Sequence, residues 1–352
     1  MNIKNYNHYA GIIHVHSTYS DGSRTIEEIA EIANELDDIC YVLITDHNTM
    51  QGKTDGLEGW YNNILIGIGC ELNDPEDLNH YLVFDVDADV CKVGDSYKYV
   101  EEVHNSGGFG IIAHPDENRS HIAKYRPYPW KIWGSELFDG IEIWNHMSEW
   151  MEGLTHFNKF RRVLHPRSSI IMPKKETLEK WDRISIKRKV VGVGGADAHG
   201  YIYKILGLIP LRVFRYKILF KTIRTHILTR DTLSGGNDYT NDLQIIYAAI
   251  KNANCFVSHH YLGDASNFRF EADSGTDAVI MGDCIKLTDK MELNVYNPQP
   301  AQTYLIHNGN YTETRSGQEI TFTINSAGVY RVESHVDNRP WILSNHIRVT
   351  ET

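Results

Sequence analysis

Six short apolar runs in this sequence each end in a residue that can bind a metal or move a proton. That recurrence limits the fold more than any other feature. The runs are "GIIHVH" (11–16), "CYVLITDH" (40–47), "ILIGIGCE" (64–71), "GFGIIAH" (108–114), "GIEIWNH" (140–146) and "VVGVGGADAH" (190–199). Rich in Ile and Val and punctuated by Gly, they read as buried parallel strands. "HYLVFDV" (80–86) is a further candidate strand that offers no obvious site residue.

Helical patterns separate the runs. "RTIEEIAEIANEL" (24–36) places Ile26, Ile29, Ala30 and Ala33 on one face, with Asp21 or Ser23 as its cap. "DSYKYVEEVHNSGG" (95–108) is a second helix that stops at a glycine pair. Strand–helix alternation predicts a parallel α/β domain. In a closed α/β barrel the C-terminal strand ends gather at one mouth, so the polar run endings are expected to converge on a single pocket.

Near residue 275 the pattern changes. Apolar and polar residues alternate, with turns expected at "NPQP", "HNGN" and "NSAG", which is an antiparallel β signature. The predicted organisation is an α/β unit over 1–275 and a small β-sandwich over 276–352, with the boundary close to "DSGTDA" (273–278). The chain's 352 residues, 41% hydrophobic, suffice for both cores. Segment 200–245 mixes apolar and basic residues and reads as helix, strand or both.

Net charge is -11, which argues against general binding to nucleic acid or to an anionic membrane. Residues 159–189 are the exception, with eleven Lys/Arg against three Asp/Glu. They read as a solvated helical face, with a phosphate-facing patch as the alternative. The five cysteines are scattered without a CxxC pair, giving neither a disulfide framework nor a thiolate zinc site. The first residues lack the apolar stretch of a signal peptide, and no apolar run is long enough to span a bilayer. A soluble, cytoplasmic protein is expected.

His14 and His16 are spaced i, i+2, which on a strand points both side chains the same way, and Asp197 and His199 repeat the spacing. With Asp21, His47, Glu71, His114 and His146 they make nine nitrogen or oxygen donors at strand ends. Any one has a dull explanation as a strand pair or a turn residue. Nine together would be costly to bury without compensating cations. The donor set suits zinc, manganese or iron.

These residues also carry a resemblance. "HVHSTYSDG", "ITDHN", "GCEL", "AHP" and "GGADAH" resemble, in order and spacing, the motifs of the polymerase and histidinol phosphatase (PHP) superfamily over roughly residues 8–270. The resemblance implies a distorted (β/α)7 TIM-like barrel with two or three divalent ions at its mouth. It implies that His14, His16, Glu71 and Asp197 share one ion, that Glu71 bridges to a second held with His114 and His146, and that Asp21, His47 and His199 hold a third. Asp21 stands where some members have histidine. Asn145 and His156 are alternatives to His146.

No GxSxG elbow and no phosphate-binding glycine loop is present, so the ions themselves are the expected catalyst. The first expectation is a phosphoesterase that cleaves small phosphate esters with a metal-activated water. Asp46 would orient a ligand or handle protons, and His146 or His199 would protonate the leaving group. Arg119 and Lys124 would bind substrate phosphate. A second expectation, ester or carbamate hydrolysis at the same site, comes from "RPWILSNHIRV" (339–349), which resembles the ending of a PHP subgroup that includes carbamate and aryl-ester hydrolases. A third is a ligand-binding role for the β-rich tail, where Tyr296 and Tyr304 otherwise serve packing.

Overall fold

The computed structural model describes residues 6–119, 121–122, 124–205 and 209–351. The chain begins β1 (Asn7–Val15), α1 (Ile26–Asn34), β2 (Tyr41–Ile44), α2 (Gln51–Thr54), β3 (Gly59–Tyr61), β4 (Ile64–Ile68), β5 (Cys70–Leu72), β6 (Tyr81–Phe84), α3 (Ser96–Asn105), β7 (Phe109–Ile112), β8 (Gly140–Asn145) and α4 (His146–Glu152). Then come α5 (Lys159–Leu164), α6 (Lys175–Lys187), β9 (Val191–Gly195), the hairpin β10 (Ile202–Ile205) and β11 (Ile209–Arg212), α7 (Tyr216–Leu219), β12 (Ile223–Thr229), α8 (Tyr239–Lys251) and β13 (Cys255–His259). The remainder is strand: β14 (Arg269–Asp273), β15 (Ala278–Ile280), β16 (Cys284–Lys286), β17 (Met291–His307), β18 (Asn310–Ile324), β19 (Gly328–Val336), β20 (Arg339–Ser344) and β21 (Ile347–Thr350). The ambiguous segment 200–245 is thus both strand and helix, apart from 206–208, which lie outside the described residues.

Local chemistry explains the ends of the helices. α1 is capped by Thr25, whose side chain accepts from Glu28 N while Glu28 reaches back to Thr25 N. The expected caps, Asp21 and Ser23, are engaged elsewhere: Ser23 Oγ donates to Gly200 O at 2.7 Å, and Asp21 faces His199. The buried face of α1 is Ile26, Ile29, Ala30 and Ala33, as its periodicity predicts. Asp95 caps α3 by accepting from Lys98 N.

The hydrogen bonding departs from the expected alternation of parallel strands. β4, β2 and β1 pair in parallel, but β1–β12–β13–β20 continue antiparallel in one 14-stranded sheet. β5–β6–β7 are antiparallel and β7–β8–β9 parallel in a separate five-stranded sheet. The fold is therefore mixed α/β with two principal sheets, and the ring of seven parallel strands is interrupted. The sheets face each other, with β9 packed on β1, β12 and β13. Two isolated parallel bridges join them, Val15 to Ala198 and His47 to Glu71.

Strands buried on both sides supply two cores. Ile13, Leu43, Leu65, Leu82, Ile111 and Val193 fill the space between the sheets. Their alternating neighbours Ile12, Val42, Ile66, Val83 and Ile112 pack in a cluster that includes the inner faces of α1 and α3. A further core holds Leu293, Val295, Phe322, Val332, Trp341 and Ile342 of the C-terminal strands and draws in Ala265, Phe268 and Phe270, which precede the expected boundary.

Two of the three expected turns form. Asn308 and Gly309 (φ 50° and 79°) close the β17–β18 hairpin, and residues 325–327 join β18 to β19. The expected turn at "NPQP" is instead an irregularity inside β17, where the register with β18 shifts between Tyr296 and Ala301.

The "SNH" of the tail binds the α/β part. Asn345 Oδ1 accepts from Gly192 N at 2.7 Å, and its Nδ2 donates to Gly192 O at 2.9 Å and Cys255 O at 2.8 Å. Arg331 of β19, fully buried, is bidentate to Asp182 of α6 at 2.6 and 2.9 Å and also meets Glu333 at 2.7 Å. His346 Nε2 lies 2.8 Å from Asp182 Oδ1.

Candidate metal centre

The strand that carries His14 leaves its sheet at that residue. His14 has φ 67°, and the β1–β2 register shifts between Ile13 and Val15. The i, i+2 alternation of a regular strand therefore does not apply. A bulge turns both imidazoles into the site, with ring centroids 5.2 Å apart. His114 (φ 28°) and Asp197 (φ 51°) also leave their strands through the left-handed region. Asp197 and His199 lie in the loop beyond β9 rather than on it.

Glu71 is the hub. Its Oε2 lies 3.0 Å from His14 Nε2, 3.2 Å from His16 Nε2 and 3.5 Å from His47 Nδ1. Its Oε1 lies 2.8 Å from His80 Nδ1 and 3.3 Å from His114 Nε2. Asp197 Oδ1 stands 3.6 Å from both His14 Nε2 and His16 Nε2 and 3.4 Å from His199 Nδ1. Asp21 Oδ1 lies 3.1 Å from His199 Nε2 and 3.9 Å from His16 Nδ1 and His47 Nε2.

The donor atoms fall into four overlapping groups of ion-binding dimensions. These are His14, His16 and Glu71; His14, His114 and Asp197; His47, Glu71 and His80; and His16, Asp21, His47 and His199. Eight of the nine expected ligands are thus brought together.

His146 does not join these groups. It is the first residue of α4, fully buried, and neither ring nitrogen has a hydrogen-bond partner among the described residues. Of its alternatives, Asn145 caps α4 and donates to Glu142 and Asp197, whereas His156 is exposed. The residue that does stand beside Glu71 and His114 is His80, which the motif reading passed over. Its other nitrogen, Nε2, lies 3.4 Å from Asp77 Oδ1.

A second layer of carboxylates orients the first. Glu142 Oε1 accepts from His14 Nδ1 at 2.9 Å, and Oε2 accepts from His114 N and Asn145 Nδ2, both at 2.8 Å. Gly195 makes room for it, since a Cβ there would overlap the Glu142 carboxylate. Asp46 accepts from Ser17 N (2.7 Å), Ser17 Oγ (2.6 Å) and Ser20 Oγ (2.6 Å), so it braces the loop between His16 and Asp21. Tyr201 donates to Asp21 Oδ2 at 2.9 Å and stacks on His199.

The charges reinforce one another. Burial alone would lower His14, but Glu71, Asp197 and Glu142 raise it well above the usual imidazole value. Burial would raise Glu71, but the surrounding imidazoles hold it well below the usual carboxylate range. Burial, with His199 and His47 nearby, drives His16 down to about 3. Both nitrogens of His16, and one each of His47, His80 and His114, lack hydrogen-bond partners among the described residues. Carboxylates and imidazoles held this close, with ring nitrogens left unpartnered, form the donor set that a divalent cation requires.

Above the cluster opens a cavity of about 570 Å³. Among the described residues lining it, Arg119 is the one Lys or Arg. Its Nε and Nη2 meet Glu117 Oε1 at 2.8 and 2.5 Å, and Glu117 is held in turn by Ser148 Oγ and Tyr128 N. Lys124, the other residue expected to bind substrate, is exposed, sits over Tyr125 and does not line the cavity. Tyr125, Tyr128, Met147, Met151 and Phe214 form an apolar wall.

No protein-family model and no curated protein matches the sequence. Solved structures similar to it include a two-domain protein from Bacteroides vulgatus ATCC 8482 containing a predicted PHP-like metal-dependent phosphoesterase. That likeness has 13% identity over 98% of this chain and 97% of that one, with TM-score 0.48. A protein from Bifidobacterium adolescentis ATCC 15703, named as a metal-dependent phosphoesterase, is 16% identical over 54% of this chain and 87% of that one, with TM-score 0.29. An amidohydrolase from Chromobacterium violaceum, with bound sulfate and no metal, is 14% identical over 59% of this chain and 95% of that one, with TM-score 0.30.

Proposed function

We propose that this chain is a metal-dependent hydrolase of the PHP superfamily that cleaves small phosphate esters. The observation that carries the reading is the convergence of six imidazoles and three carboxylates on the floor of one cavity, with both oxygens of Glu71 shared between them. His14, His16, Glu71 and Asp197 would hold one divalent ion. Glu71, His80 and His114 would hold a second, His80 taking the place that the motif resemblance gave to His146. Asp21, His47 and His199 would hold a third. Bound ions would supply Lewis-acid stabilisation of the charge that develops on the attacking and leaving oxygens.

The remaining residues bind and orient. Arg119, fixed by Glu117, presents its guanidinium to an anionic substrate group. Glu142 sets the ring of His14 so that Nε2 faces Glu71 and Asp197. Asp46 has its oxygens committed to Ser17 and Ser20, which suits positioning of the loop rather than proton transfer.

Ester or carbamate hydrolysis is the second reading. It is favoured by the single Lys or Arg among the described lining residues and by the apolar wall they also form. The tail motif does not favour it, because Asn345 and His346 are occupied in packing. Parallel assays of Mn2+- and Zn2+-loaded protein on p-nitrophenyl phosphate and 1-naphthyl N-methylcarbamate separate the two. Phosphate release alone is expected. Carbamate turnover without phosphate release would replace the first reading by the second, and no turnover of either would count against hydrolysis.

A further inference from the structure

The segment between α4 and α6 presents an apolar face that no part of the described chain covers. Phe157 is 100% exposed, Phe160 72% and Leu164 74%, and Ile171 and Met172 are exposed beside them in sequence. Among the described residues these are five of the seven exposed large apolar side chains other than Tyr, the others being Leu137 and Ile186. Scattered exposed apolar residues need no explanation, but a cluster does. Phe157, Phe160 and Leu164 are spaced i, i+3, i+7, which places them along one side of α5 and the turn leading into it. α5 itself buries no residue. Leu154, Val163 and Ile170 pin the segment to the core, so its outward face is fixed rather than waiting to fold inward.

The charge of the same segment is as one-sided as its exposure. From 153 to 175 the sequence holds six Lys/Arg and no Asp/Glu, on a chain whose net charge is -11. Lys174 and Lys175 are paired with Glu152 and Glu179. Among the described residues no carboxylate lies within ion-pair distance of Lys159 or Arg161, both exposed, whereas Arg162 donates to Trp150 O and feels Glu149, and Arg167 lies over the Tyr261 ring. The acidity that argued against membrane binding therefore belongs to the rest of the surface.

We propose that Phe157–Met172 is a docking surface for an anionic lipid membrane. Protruding aromatic and aliphatic side chains interleaved with unpaired cations suit the headgroup boundary, where the apolar groups enter and the cations meet lipid phosphates. A second copy of the chain fits less well. A two-fold contact through this face would set the unpaired cations of both copies against each other. A rigid protein partner would need a pocket shaped to each protruding ring, whereas a lipid surface conforms to them.

The test is co-sedimentation of the full, metal-loaded protein with vesicles of phosphatidylcholine alone and of phosphatidylcholine with phosphatidylglycerol in equal parts. Binding is expected to the mixed vesicles only, and to be lost in 0.5 M salt. Phe157→Ser/Phe160→Ser/Leu164→Ser and, separately, Lys159→Glu/Arg161→Glu should each weaken it by roughly tenfold or more. All the substituted residues are exposed, and circular dichroism with thermal unfolding verifies that the variants fold. Equal sedimentation with and without phosphatidylglycerol, or triple-variant binding equal to wild type, would overturn the proposal. So would a wild-type dimer in light scattering that the triple variant converts to monomer, since the face would then be covered by a second copy.

Discussion

Glu71 Oε1 and His80 Nδ1 are 2.8 Å apart, although His80 stands just before its strand rather than at its end. If the pair shares an ion, His80→Ala lowers metal affinity by at least about 100-fold at one position. His146→Ala leaves metal content as in wild type. Elemental analysis of both variants after gentle purification checks this, and the opposite ranking would return the role to His146.

Glu142 acts through His14. Glu142→Gln keeps the shape but removes the charge that fixes the ring, and metal affinity should fall by about 10- to 100-fold. Competition with a metallochromic chelator reads the change. A purely structural role for Glu142 would instead lower thermal stability and leave the affinity of the folded protein unaltered.

Asn345 joins the tail to β9 and β13 through three hydrogen bonds to buried main chain. Asn345→Ala leaves those groups unpaired and should cost about 3 kcal/mol, read as a shift in urea unfolding at constant slope.

The Asp182–Arg331–Glu333 network makes stability fall in acid. Burial would raise Glu333, but Arg331 and His335 hold it down to about 2, against an ordinary value of 4.5. A depressed carboxylate stabilises the folded state fully above its unfolded value and loses that contribution as pH falls toward the folded one. Glu333→Gln should therefore cost about 3 kcal/mol at pH 7. The gap from wild type should close between pH 4.5 and pH 2, as measured by chemical denaturation across that window.

Most of the site was legible because its residues end strands that read as strands. His14, Glu71, His114 and Asp197 each follow an Ile-, Val- or Gly-rich run, and the structure brings them together. His80 escaped for a topological reason. In a parallel barrel only C-terminal strand ends reach the mouth, but β6 runs antiparallel to β5 and β7, so its first residues arrive there instead. Nothing local in "NHYLVFDV" announces that reversal. His146 stands outside the donor groups for a complementary reason. Its run continues directly into α4, of which His146 is the first residue. The left-handed turns at His14 and Asp197 were equally unreadable, since neither residue type demands them.

The two isolated bridges between the principal sheets, Val15 to Ala198 and His47 to Glu71, have a consequence for how the molecule comes apart. Each lies within two residues of an expected ligand, so the backbone seam of the α/β part runs through the metal centre. Ions seated there would act as rivets across that seam, with His14, His16 and His47 from one margin tied to Glu71, His114 and Asp197 from the other. Stripping them would loosen the mouth of the fold before its floor. Amide exchange should then quicken first at residues 14–17, 45–48 and 196–199, while the interior strands β2 and β8 stay closed.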